Sequence, residues 1–81
     1  MEKLKEILIV EDNPFDSTLI KEYLDLAGVQ VEKIEYPDRL TKVMELAHKH
    51  SQPDLIFLDL NLPDSNGLET FLSVNGVFAD V

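Results

Sequence analysis

Two stretches of the chain are apolar at every position: Ile7-Leu8-Ile9-Val10 and Leu55-Ile56-Phe57-Leu58. A strand with one solvated face alternates polar and apolar residues, so an unbroken run reads as a strand covered on both faces. The second run reads as the central strand of a parallel sheet. A third stretch, Val29 to Tyr36, interleaves polar and apolar residues with a phase slip near Lys33. Charges inside a strand suit a sheet edge, where they discourage pairing with other chains. Between these stretches the apolar period changes to that of a helix. Phe15, Leu19, Tyr23 and Leu26 or Ala27 form one stripe, widened by Ile20 and Leu24. Leu40, Val43, Met44 and Ala47 form a second, and Leu68, Phe71 and Leu72 a third. Each stripe predicts a helix with its apolar side against the sheet.

The element ends carry their own signals. Asn13 is a good N-cap, Pro14 fits the first helical position, and Gly28 fits the position just past the helix end. Pro37 breaks the second strand, and Asp38 can cap the helix that follows. That helix fades in His48-Lys49-His50, cations that suit the negative end of a helix dipole. Asn66 with Glu69 three residues on has the form of a capping box, and Asn75-Gly76 closes the third helix. The pattern therefore predicts strands over about 6–11, 29–36 and 54–59 and helices over about 14–27, 38–49 and 66–75. Strand–helix alternation implies right-handed crossovers and an α/β fold with a parallel sheet. With the polar second strand at the edge, the strand order is 2-1-3.

Eighty-one residues make one domain with a thin stability margin, and the 44% hydrophobic fraction is that of a folded chain. There is no cysteine, which removes disulfides and thiolate metal sites and favours the cytoplasm. The mixed-charge lead Met1 to Glu6 does not read as a signal peptide, and runs of four apolar residues are too short for a membrane span. A formal net charge of −9 argues against a nucleic-acid surface. Much of that charge serves solubility, but some is gathered. Both all-apolar runs deliver acid at their carboxyl ends, Glu11-Asp12 after the first and Asp59 after the second. If these strands are neighbours, their ends lie about 4.8 Å apart. A lone acid is usually a solvated surface residue. Acids after both buried strands stand where open α/β sheets place their sites. Three carboxylates so close raise a pKa or bind a divalent cation. Oxygen ligands alone suit Mg²⁺ and not zinc. His48 and His50 read as a solvated cap more readily than as a phosphorelay or metal pair.

At these residues the sequence resembles the receiver domain of bacterial two-component response regulators. Ile7-Leu-Ile-Val-Glu11-Asp12-Asn13-Pro14 and Asp54-Leu-Ile-Phe-Leu-Asp59-Leu-Asn61-Leu-Pro63-Asp64-Ser-Asn-Gly67 carry the likeness. It implies a flavodoxin-like, receiver-type sheet, with Asp59 as phosphoacceptor for a sensor histidine kinase or phosphotransfer protein. It implies Mg²⁺ held by Asp12, Asp59 and the backbone carbonyl of Asn61, with Glu11 as companion acid. Pro63 and Gly67 would shape the loop, a role that turn chemistry alone explains. The protein would be a phosphoacceptor signalling domain and not an enzyme. A short Asp-x-Asp phosphohydrolase reading of Asp59-Leu60-Asn61 is weaker, because position 61 is Asn and the strand is the third.

The resemblance also implies two further strand–helix units. Their switch Ser/Thr and phosphate-binding Lys have no counterpart in this sequence, and Lys3, Lys5 and Lys21 do not stand in their place. Residues 1–81 thus read as a C-terminally incomplete receiver, the first three strand–helix units. Its third strand would be an open edge, and association into a homodimer or higher oligomer would bury it. The alternative function is a receiver-derived binding or oligomerisation module without phosphotransfer.

Overall fold

The computed structural model describes residues 3–49 and 52–79. The three long strands are β1 (Lys3–Val10), β2 (Gln30–Glu35) and β3 (Leu55–Leu58), and they form one parallel sheet in the order β2-β1-β3. The helices are α1 (Pro14–Leu26), α2 (Leu40–His48) and α3 (Gly67–Val77). Two short strands, β4 (Asn61–Leu62) and β5 (Ser65–Asn66), pair antiparallel across Pro63-Asp64 in the loop before α3. The parallel α/β sheet and its order are those the hydrophobic pattern predicts. The charged lead, however, joins β1 from Lys3 onward, and the β4–β5 hairpin has no precursor in the pattern.

The centre of the sheet is β1 and not β3. Ile7, Leu8 and Ile9 are fully buried and Val10 nearly so, whereas Leu55 in β3 is 38% exposed. A strand with neighbours on both sides and helices on both faces has no exit to water. Among the described strands β3 lies at the edge, and only its faces are partly covered. Successive side chains of β1 point to opposite faces. Leu8 and Val10 pack with Val43 of α2, Val74 of α3, Leu62 and Phe78, with Ile56 and Leu58 beside them. Ile7 and Ile9 pack with Leu24 of α1, with Ile20, Ile34 and Phe57 around them.

Two helical stripes are turned away from where their apolar residues point. In α1 the face against the sheet carries Ser17, Ile20 and Leu24, while Phe15 and Leu26 are each 84% exposed and Tyr23 is 62% exposed. In α3 the buried positions are Thr70 and Val74, and Leu68, Phe71 and Leu72 are exposed. Of the α1 stripe only the widening residues Ile20 and Leu24 therefore face the sheet, and the α3 stripe does not. Both helices are apolar over more than one face, so periodicity alone does not choose which side packs. α2 follows its pattern more closely, burying Val43 with Leu40 and Ala47 beside it.

Helix ends also differ from local expectation. Asn13 caps α1 by accepting the Phe15 N–H at 2.9 Å, and Gly28 past its end has φ of 76°, a left-handed conformation that glycine adopts without a Cβ clash. Asp38 does not cap α2. Its carboxylate pairs with Arg39 and Lys42 instead, and α2 starts at Leu40. Asn66 stands at the N-cap of α3 without a side-chain cap bond, and the helix runs through Gly76 to Val77. His50 and the tail residues Asp80 and Val81 lie outside the described residues, as do Met1, Glu2 and Ser51.

Candidate functional site

The register of β1 against β3 builds the site. Ile7 pairs with Leu55 and Val10 with Leu58, so the next residue on each strand, Glu11 and Asp59, emerges side by side. The Asp59 N–H donates to the Val10 carbonyl at 2.9 Å, which fixes that exit. On the other flank the Glu11 N–H donates to the Pro37 carbonyl at 3.1 Å. Asp12 follows as the chain turns into α1. One carboxylate oxygen from each of Glu11, Asp12 and Asp59 lies within 4.8 Å of the others.

This is the arrangement that two all-apolar strands ending in acid predict. The local backbone answers part of the charge. Glu11 Oε1 accepts the Asn13 N–H at 3.1 Å, and Asp59 Oδ1 accepts the Asn61 N–H at 3.0 Å. No lysine or arginine among the described residues pairs with any of the three. Lys21 is committed to Asp25, one helical turn away, and Lys3 to Glu32 on β2. Burial is the largest influence on Glu11. The Asn13 N–H lowers its pKa, but a hydrogen bond to Asp59 and the charges of Asp59 and Asp16 raise it, and the group ends near 7 from an ordinary 4.5. Desolvation and the neighbouring Asp59 and Asp16 charges together make Glu11 harder to ionise than an ordinary glutamate.

The donor set is all hard oxygen, negatively charged, half open to solvent and without a basic partner. It fits a small divalent cation that keeps part of its water, such as Mg²⁺. It does not fit a soft metal, since neither sulfur nor imidazole is among the clustered ligands.

The family model of the response regulator receiver domain matches residues 7–77. The chain belongs to the response regulator receiver family. Among curated proteins it is similar to the polar-differentiation response regulator DivK of Brucella anthropi, with 37% identity over 65 residues, or 80% of this chain and 50% of that protein. The DivK proteins of Brucella ovis and Brucella abortus match with the same identity and the same coverage. This chain therefore spans about half the length of the curated relatives it matches. No solved structure matches at the same stringency. Receiver domains generally bind Mg²⁺ at an acidic pocket, and Glu11, Asp12 and Asp59 form such a cluster here.

Of the other residues singled out in the sequence, Asn61 opens β4 two positions after Asp59, and Pro63 sits exposed in the turn between β4 and β5. Gly67 starts α3 with φ of 61° and donates its N–H to the Leu60 carbonyl at 2.6 Å. A Cβ at Gly67 would meet nothing within 4 Å, so conformation and not space is what favours glycine there. Two residues around this receiver loop escape sequence reasoning. The fully buried Thr70 donates its hydroxyl to the Leu60 carbonyl at 3.2 Å and lies 2.7 Å from Ser65 Oγ. Asp64 bonds to the start of α2, a partner 24 residues away. Neither has a local signal, because each partner is set by tertiary packing.

Proposed function

We propose that this receiver accepts a phosphoryl group on Asp59, with Glu11, Asp12, Asp59 and the backbone carbonyl of Asn61 as the ligands of a Mg²⁺ ion. The observation that carries this reading is the convergence of three carboxylates within 4.8 Å at the carboxyl ends of β1 and β3. In the transfer, an Asp59 carboxylate oxygen attacks phosphorus. The new O–P bond forms as the P–N bond to a phosphohistidine donor breaks, and the imidazole leaves with the bond's electron pair. Bound Mg²⁺ would neutralise the phosphoryl oxygens. The Asn61 N–H orients the Asp59 carboxylate by holding Oδ1. Glu11 and Asp12 supply the negative charge that would hold the cation. The donor class is a sensor histidine kinase or a phosphotransfer protein, encountered in the cytoplasm. No helix among the described residues is long and apolar enough to cross a membrane. Residues 1–81 would make up the first three strand–helix units of the receiver.

The test is incubation with acetyl phosphate and Mg²⁺, followed by intact mass. A gain of one phosphoryl group, lost in Asp59→Asn and on chelation of the metal, is the expected result. No gain while Mg²⁺ still binds would refute phosphotransfer by this chain and leave the ion site standing.

A specific observation favours a second reading, an assembly module. The free edge of β3 lies beside an apolar groove of about 230 Å³ lined by Leu55, Ile56, Leu58, Phe71, Val74 and Phe78. Pairing with a second copy would cover it, giving a homodimer or higher oligomer. A monomer at micromolar concentration by light scattering would sink this reading.

A further inference from the structure

The segment that follows Asp59 is tied down at both ends. Beside the pocket, the Asn61 N–H holds Asp59 Oδ1, and Asn61 and Leu62 pair with Asn66 and Ser65. Toward α3, the Leu60 carbonyl accepts both the Gly67 N–H and the Thr70 hydroxyl. At the tip of the hairpin, Asp64 Oδ1 accepts the Leu40 N–H at 2.7 Å and Oδ2 the Thr41 N–H at 3.0 Å. These are the first two residues of α2, whose N–H groups have no partner within the helix. The residue at the N-cap, Arg39, makes no side-chain cap bond, and Asp38 is engaged with Arg39 and Lys42. Asp64 therefore supplies from a distance the cap that α2 lacks locally.

We propose that Asp64 is a positioning residue for the acidic pocket: its carboxylate fastens the loop after Asp59 to the N-terminus of α2, so that loop geometry at Asn61 and helix entry at Leu40 are set together. The inference rests on that pocket as the functional site. Four observations support it. Both carboxylate oxygens are used, which fixes orientation as well as distance. The negative charge sits at the positive end of the helix dipole. Desolvation against the helix end would raise the pKa of the exposed Asp64, but the Leu40 and Thr41 N–H groups outweigh it and hold the carboxyl below its ordinary value, so it is an acceptor at neutral pH. The segment from Asp59 to Asp64 is short, and Leu62 inside it is buried with Val43 of α2, leaving little slack between the two ends.

A local cap and a positioning residue predict different things. Loss of a merely local cap loosens Leu40 and Thr41 and nothing else. Loss of a positioning residue also loosens the far side of the loop and weakens the pocket. The experiment is amide exchange by NMR on the metal-free protein, with Mg²⁺ titration of the same samples, for wild type, Asp64→Ala and Asp64→Asn. Ile9, at the centre of the sheet, reports global opening. In Asp64→Ala, exchange at Asn61 and Gly67 should rise about threefold to tenfold relative to Ile9, together with that at Leu40 and Thr41. Mg²⁺ affinity should fall by a similar factor. Asp64→Asn keeps one oxygen acceptor and should lie between, and it carries the test if the alanine variant does not fold. Unchanged exchange at Asn61 and Gly67 with unchanged Mg²⁺ affinity would overturn the proposal. A wild-type protein that takes up no Mg²⁺ would overturn the reading of the pocket, and exchange at Asn61 would then still decide the tie to α2.

Discussion

The two ends of the parallel sheet both carry acids, and they treat them in opposite ways. Before β3, Asp54 accepts the Lys5 N–H at 2.7 Å and the Glu6 N–H at 3.3 Å, and its own N–H donates to the Glu6 carbonyl at 2.8 Å. Glu6 itself lies 3.9 Å from Lys33. At the other end Glu11, Asp12 and Asp59 face one another, and no lysine or arginine among the described residues pairs with them. The difference follows from the chain's polarity. Near the start of β1, backbone N–H groups are available to hold a carboxylate. Where two parallel strands end, several acids converge on the same small space and the donors are fewer than the charges. An acid at the first end is a staple. An acid at the second is one of a cluster of like charges.

That contrast predicts opposite signs for removing an acid. The largest effect is expected at the staple. Asp54→Ala should cost about 2 kcal/mol, the value of two hydrogen bonds to an ionised acceptor at a partly solvated site. Urea denaturation measures it. A neutral result would mean that β3 is held by its apolar residues alone.

At the other end, Glu11→Gln should stabilise the metal-free protein above pH 7, by about 1–2 kcal/mol once solvent screening of a half-open carboxylate is allowed for. The sign follows from linkage. Glu11 titrates near 7 in the folded protein against an ordinary 4.5, so between those values the folded state keeps a proton that the unfolded chain has lost. This contribution to stability therefore declines as pH rises through the window and is lowest above pH 7. Denaturation midpoints at pH 5 and 7.5 should fall further for wild type than for Glu11→Gln. Added Mg²⁺ should recover the wild-type loss at pH 7.5. Parallel behaviour of the two proteins would remove the case for a strained acid cluster.

The smallest effect sharpens the contrast within the carboxyl end itself. Asn13 lies beside the acids but is uncharged, and its Oδ1 accepts the Phe15 N–H. It should behave like Asp54, with Asn13→Ala costing about 1 kcal/mol in urea denaturation. A stabilising Asn13→Ala would show that location, and not the crowding of like charges, sets the sign.

Much of the site was legible in the chain because it is built from what each strand does alone. An apolar run ending in acid says where the acid goes once the strand is buried. Two such runs in neighbouring parallel strands bring their acids together with no further information. The helical stripes were less legible. Phe15, Leu19, Tyr23 and Leu26 repeat at helical spacing, yet the sheet takes Ile20 and Leu24 from the same helix and leaves Phe15 and Leu26 in water. The pattern says that a helix forms. It does not say which of two apolar faces wins when both are present.

Local grammar was readable along the chain: which runs are strands, that Asn13 and Pro14 open a helix, that Gly28 closes it, and that acid follows both all-apolar strands. Those choices depend on propensities and periodicities within a few residues. Packing over long distances set the rest: Thr70 is buried against the Leu60 carbonyl, and α2 is capped by Asp64 and not by Asp38. Each of these depends on a partner far along the chain. Which distant group meets a donor or fills a face is settled by the packing of whole elements, where burial and hydrogen-bond satisfaction are decided together.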